Sequence, residues 1–198
     1  RCRLRSTLTM RVLHVIARLN VGGTARYITQ LANELPKHGI ETLVATGYVQ
    51  GAEIEDESAS SIKLVRIKSL GRSINPIKDH FAHRQLQAVI KEFKPDIIHS
   101  HTFKAGFIVR ARKQSVPVVH TFHGHLLHGY FAGWKTSLVI TIEKFLAKRT
   151  HFLVAIGNEV KNDLLKAGIG RTNQYSVFFP GLPAPHTASK SELRKNLE

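Results

Sequence analysis

Short β-branched runs that alternate with amphipathic helical stretches predict an α/β protein built on a doubly wound parallel sheet, with helices on both faces. Three observations carry that expectation. The runs Val12-Leu13-His14-Val15-Ile16, Leu43-Val44-Ala45 and Val116-Pro117-Val118-Val119 are nearly continuous in apolar residues, as strands covered on both faces are. Between them lie stretches of helical period, such as Ile28, Leu31, Ala32 and Leu35 at i, i+3, i+4 and i+7. Glycine, proline and asparagine punctuate most of the junctions.

Taken in order, residues 10–17 read as a buried first strand. Asn20-Val21-Gly22-Gly23-Thr24 is a glycine turn into a helix that Pro36 and Gly39 close, and residues 41–46 form the next strand, completing a βαβ crossover. Residues 47–61 read as an exposed loop with one helical turn, its acids Glu53, Glu55, Asp56 and Glu57 solvated. Residues 62–67 alternate apolar and basic side chains like a half-covered strand near a sheet edge. A loop over residues 71–76 precedes a helix carrying Leu86, Val89, Ile90 and Phe93 on one stripe. Pro95-Asp96 introduces a strand over 97–101 and a helix over 104–112. The pattern repeats with a strand over 116–120, a long loop over 123–135, and a helix with Leu138, Ile142, Phe145 and Leu146 inward. A strand over 152–155, a helix over 159–167 with Asn158 as N-cap and Gly168 as its end, and a strand over 175–179 halted by Pro180-Gly181 complete the domain.

A chain of 198 residues with 42% hydrophobic content can bury one sizeable core. Residues 1–9 read as a flexible leader ahead of Met10, residues 10–180 as the domain, and residues 181–198 as a proline-rich linker and the start of a second domain. The capping box Ser189-Lys190-Ser191-Glu192 opens a helix there. Cys2 has no partner for a disulfide, and no signal-peptide h-region or transmembrane run occurs, which suits a cytoplasmic setting. Twenty-nine lysines and arginines against 14 acids give a formal charge of +15, which favours anionic partners. The charge is dispersed and accompanies no recognition helix or aromatic RNA platform. It therefore suits a membrane surface or phosphorylated substrates, and no nucleic acid partner is expected. A basic nucleic-acid-binding domain is the non-enzymatic alternative.

The chemistry is expected at His120-Thr121-Phe122-His123-Gly124-His125, where a buried strand ends in polar residues at the rim of a parallel sheet. His123 is the first candidate, since imidazole exchanges protons near neutrality and Gly124 lets a ligand approach the backbone. A loop whose histidines merely satisfy core carbonyls is the plainer alternative. Gly22, Gly23 and Thr24 stand between a strand and a helix, a position suited to an anion, although a tight structural turn accounts for the pair as well. Their spacing is neither G-x-G-x-x-G nor a P-loop. His99 and His101 share one face of their strand and with His123 and His125 could gather a metal. The absence of a supporting carboxylate, thiolate or D-x-D pair argues for none. Lys104 at a helix start and Arg18 after the first strand border the same rim, where each serves a phosphate or sugar hydroxyl or is simply a surface charge. His128-Gly129-Tyr130-Phe131 suits a substrate-facing loop or a small satellite core.

Four blocks in order, Leu19-Asn20-Val21-Gly22-Gly23, Pro95-Asp96-Ile97-Ile98-His99-Ser100-His101, His120-Thr121-Phe122-His123-Gly124-His125 and Val154-Ala155-Ile156-Gly157-Asn158-Glu159-Val160, resemble the N-terminal half of the family four glycosyltransferases of GT-B fold. The resemblance implies a Rossmann-like domain and a retaining transfer from a nucleotide diphosphate sugar to a glycan or lipid-linked acceptor. It also implies that no metal cofactor takes part and that the cleft is shared with a C-terminal domain of the same protein. It implies that Gly22 and Gly23 approach the donor, that His123 is catalytic beside the reacting sugar, and that His101 and Lys104 line the acceptor side; by position Thr24 is assigned to the donor side, and Arg18 and His125 to the acceptor side. Family members often act on lipid-linked acceptors, so peripheral attachment at the inner membrane face is expected. Pro180-Gly181 and Gly157-Asn158 depart from the family pattern, and without the second domain the fragment is expected to be inactive. A sugar-nucleotide 2-epimerase shares the architecture and is the second enzymatic alternative.

Overall fold

The computed structural model describes residues 9–124 and 133–181. The leader, the loop residues 125–132 with His125 and His128-Gly129-Tyr130-Phe131, and the linker from residue 182 onward lie outside the described residues. Seven strands form one parallel sheet: β1 (Met10–Ile16), β2 (Ile40–Thr46), β3 (Leu64–Arg66), β4 (Ile97–His101), β5 (Val118–Phe122), β6 (Phe152–Ala155) and β7 (Tyr175–Val177). Their order is β3-β2-β1-β4-β5-β6-β7. The helices are α1 (Gly23–Glu34), α2 (Pro76–Phe93), α3 (Phe103–Arg110), α4 (Gly133–Ala147) and α5 (Asn158–Lys166). The expected α/β, doubly wound parallel sheet is therefore present, with β3 at the edge.

The chain runs from β1 outward to β3, then returns across the sheet to β4 and continues the other way. Right-handed crossovers put helices on opposite faces when the direction reverses. On one face α2 and α3 pack Ala82, Leu86, Phe93, Ile108 and Val109 against Leu13, Val15, Ile98 and Val118. Beside them α4 and α5 cover Phe122, Leu153 and Ala155 with Ala147, Val160 and Leu164. On the other face α1 places Ala25, Ile28 and Ala32 over Ile16 and Val44, joined by Ala59 from the 3-10 turn Glu57–Ser61. The two layers are unequal, with four helices against one.

Several local expectations need correction. Of the acids expected to be solvated, Glu57 is exposed, but Glu53, Glu55 and Asp56 are not. Glu53 pairs with Arg18 at 2.5 Å, Glu55 takes a two-pronged bond from Arg66, and Asp56 is buried, capping the 3-10 turn through Ser58. On α4, Leu138 and Phe145 are half exposed, and the buried residues include Val139, Glu143 and Leu146. The face turned inward because Glu143 meets the equally buried Arg110 of α3 at 2.8 Å, and a buried charge must follow its partner. Gly157, not Asn158, caps α5 with extended backbone, while Gly168 ends the helix in the left-handed region as expected. β3 and β7 are shorter than expected, and α3 is shifted to Phe103–Arg110. Phe178 and Phe179 lie beyond β7, mostly exposed.

Candidate active site

In an open α/β sheet the ligand crevice lies past the carboxyl ends of the strands where the connection order reverses. Here that point is between β1 and β4. The loop Asn20-Val21-Gly22-Gly23 leaves β1 and enters α1 with Gly22 as its cap, at φ 152° and with no side chain capping the helix. A Cβ built at Gly23 meets nothing within 4 Å, and one at Gly22 meets only the Asn20 carbonyl, at 3.9 Å. Both glycines thus leave room for a ligand at the amino end of α1, the end of a helix that receives an anion, while the Gly22 amide itself bonds the Asp56 carboxyl. The acidic loop braces this turn from outside. The Val21 amide donates to the Ile54 carbonyl at 2.9 Å, and the Asp56 amide to the Leu19 carbonyl at 2.9 Å. Hydrogen bonds from Ser58 hold the Asp56 carboxyl below its ordinary range.

Beside the turn stands a group of histidines. Alternation puts His14 of β1 and His99 and His101 of β4 on the α1 face, and the register sets His14 opposite His99. The rings of His99 and His101 lie 4.1 Å apart, and those of His14 and His101 lie 5.4 Å apart. His123 follows β5 on the same face. Its Nε2 is 3.1 Å from Nδ1 of His101, and its ring meets Tyr27 of α1 edge-on at 5.1 Å. The His99 Nε2 is 2.7 Å from the Thr121 hydroxyl. Burial lowers every one of these histidines: His14 and His123 to about 4, His99 and His101 well below their ordinary value, with neighbouring rings adding to the last two. All four are neutral at pH 7. His14, His99 and His101 also offer nitrogens within 4.8 Å of one another, so they are the residues that could hold a metal, but among the described residues no carboxylate or thiolate joins the group.

Below the histidines an apolar cleft of about 540 Å³ runs along the α1 face, bounded by His14, Tyr27, Leu31, His99, Val119 and Val154. His120 points to the opposite face, buried, with its Nδ1 2.9 Å from the Ser100 hydroxyl. Thr102, which follows His101, takes φ 64°, an uncommon conformation for a residue with a branched Cβ.

The structure brings His101 and His123 together beside Tyr27, which stands about one helical turn along α1 from Gly22, Gly23 and partly exposed Thr24. It does not bring Lys104 to the rim: that side chain is buried, and its ammonium bonds Asp79 of α2, on the far face of the sheet. Arg18 is likewise engaged by Glu53. His125 lies outside the described residues. His14 and Tyr27 were missed in the sequence. Strand parity alone could have placed His14 with Val12 and Ile16, and Tyr27 lies one helical turn past Gly23.

Residues 21–181 match the sequence model of Glycosyltransferase Family 4, which is most of the chain. An Escherichia coli UDP-Gal:alpha-D-GlcNAc-diphosphoundecaprenol alpha-1,3-galactosyltransferase is 32% identical over 120 residues, 59% of this chain and 31% of that protein. A 41.2 kDa protein of the cps region of Klebsiella pneumoniae is 29% identical over 179 residues, 86% of this chain and 46% of that one. The chain spans less than half the length of the curated relatives it matches. Among solved structures, a sucrose-phosphate synthase from Thermosynechococcus elongatus superposes with a TM-score of 0.71 at 14% identity, covering 95% of this chain and 52% of that one. With the sheet order, the crevice and the family match all in agreement, the chain belongs to glycosyltransferase family 4 and carries the N-terminal, Rossmann-like half of a GT-B fold.

Proposed function

We propose that this domain serves a retaining, metal-independent transfer of a sugar from a nucleotide diphosphate sugar to a glycan or lipid-linked acceptor, working with a C-terminal domain of the same protein. One observation carries the reading most: an unobstructed glycine turn at the amino end of α1 faces the crevice that also holds a neutral His123. The turn suits the donor's diphosphate, since free N–H groups and the positive end of the helix dipole stabilise anionic oxygen. A neutral imidazole beside the sugar can hydrogen-bond a hydroxyl without adding a cation next to the positive charge that develops at the anomeric carbon. Thr24 joins the donor side and His125 the acceptor side, while His101, fully buried and bonded through both ring nitrogens, acts there only through His123. Arg18 and Lys104 act there only by exchanging their carboxylate partners for substrate.

The relatives' names bear on the acceptor. One acts on a diphosphoundecaprenol-linked sugar and another belongs to a cps region, which supports a role in cell-envelope polysaccharide synthesis. The net charge of +15 supports peripheral contact with an anionic leaflet from the cytoplasmic side. Among the described residues no helix is long and apolar enough to cross a membrane.

The test is turnover of His123→Ala in the transfer-competent protein. A loss of roughly 2 to 4 kcal/mol in transition-state stabilisation, with donor affinity little changed, supports the role, and wild-type turnover removes it. Release of free nucleotide and epimerised sugar without any acceptor would instead favour the 2-epimerase reading.

A further inference from the structure

The contacts between three of the histidines are all of one kind. Nδ1 of His14 lies 3.2 Å from Nε2 of His101, and Nδ1 of His101 lies 3.1 Å from Nε2 of His123. A neutral imidazole has one N–H and one lone pair. Two such bonds in series therefore form in only two ways, with every ring protonated on Nδ1 or every ring on Nε2. Any mixture sets two N–H groups, or two lone pairs, against each other.

The buried end of the series decides between them. Nε2 of His14 is buried with no hydrogen-bond partner among the described residues. Protonation on Nε2 throughout would strand an N–H there. Protonation on Nδ1 leaves only a lone pair, and orphaned buried N–H groups are the rarer of the two in folded proteins. At the other end, Nδ1 of His123 has no hydrogen-bond partner among the described residues. Three neighbours hold the series in place: the His99 ring lies tilted against His101, Thr121 fixes His99, and Tyr27 stands edge-on to His123.

We propose that His14 and His101 are positioning residues that lock His123 in its Nδ1–H tautomer, so that His123 donates a hydrogen bond to a hydroxyl oxygen of the bound sugar and does not act as a base. The identity of that oxygen rests on the transfer reading above, whereas the shared tautomer does not.

Long-range proton–nitrogen correlation spectra of the ¹⁵N-labelled chain at pH 7.5 identify which nitrogen of each ring carries hydrogen. His14, His101 and His123 are all expected on Nδ1. Mixed tautomers, Nε2–H throughout, or a doubly protonated ring overturn the proposal. His101→Asn, whose amide nitrogen lies near the position of Nδ1, is expected to keep His123 on Nδ1. His101→Leu is expected to release His123 toward Nε2–H, and if that variant does not fold, His101→Met provides the same readout. A His123 tautomer unmoved in the folded apolar variant overturns the positioning role. Equimolar zinc is expected to leave the spectra unchanged. Stoichiometric loss of the ring N–H signals would make the cluster a metal site and overturn the series. These spectra contain no sugar, so they can fail while transfer stands, and the His123→Ala assay can fail while they hold. In transfer-competent protein, His123→Asn is expected to exceed His123→Gln in turnover by about tenfold, the worth of one neutral hydrogen bond. Equal or reversed values overturn the donor assignment.

Discussion

Gly23→Ala separates a role in ligand binding from a role in folding. Gly23 opens α1 with helical backbone, and the added methyl meets no atom within 4 Å. In the folded chain nothing has to move, while the unfolded chain loses backbone freedom. The substitution is therefore expected to raise stability by about 0.4 to 1 kcal/mol. A diphosphate seated on the α1 amides would instead find the methyl in its path. Loss of one charge-assisted hydrogen bond is worth about 1.5 to 3 kcal/mol, or roughly 10- to 150-fold in donor affinity. Urea unfolding of the chain and calorimetric donor titration of the transfer-competent protein measure the two quantities. A more stable variant with undiminished donor affinity and turnover would refute the argument that this turn receives the donor. Gly22→Ala is the less informative variant, because φ 152° strains any side chain there whether or not a ligand binds.

Glu143→Gln leaves the fully buried Arg110 without its counter-ion and is expected to cost about 3 to 5 kcal/mol in urea unfolding, with Arg110→Met/Glu143→Leu recovering most of it. A single variant within 1 kcal/mol of wild type would mean that water reaches the pair. Acid should destabilise the chain well before its carboxylates titrate. For His14 and His123 the folded value falls from 6.5 to about 4, so the unfolded state binds more protons across that window and stability declines as pH falls through it. Each of the two contributes up to about 1.4 kcal/mol per pH unit, and unfolding free energies unchanged between pH 7 and pH 5 would contradict this. Binding to anionic vesicles is expected to weaken as salt rises, and binding insensitive to both salt and lipid charge would end the electrostatic account.

The sheet was legible because buried parallel strands announce themselves as continuous apolar runs, and Gly39 and Gly168 marked helix ends that the structure keeps. His123 and His101 were legible as candidates because each stands at a strand's carboxyl end. His14 was not, since it sits inside an apolar run, and only the pairing of β1 with β4, 87 residues away at His101, gives it meaning. The buried face of α4 failed for a similar reason. Helical periodicity counts Glu143 as solvent-facing, and its partner Arg110 lies 33 residues earlier. Lys104 and Arg18 were read as free cations because a sequence does not reveal which carboxylates fold against them.

Thr102 bears on the way the crevice can respond to a ligand. A threonine held at φ 64°, with its hydroxyl buried and without a partner among the described residues, occupies a conformation that costs on the order of 1 to 3 kcal/mol and persists only where the surroundings over-determine it. It joins the last residue of β4 to the first of α3, so the backbone leaves His101 at an angle set by the sheet on one side and the helix on the other. The junction acts as a stiff elbow. His101 cannot swing to meet a sugar without unseating α3, so fit beside His101 must come from the ligand.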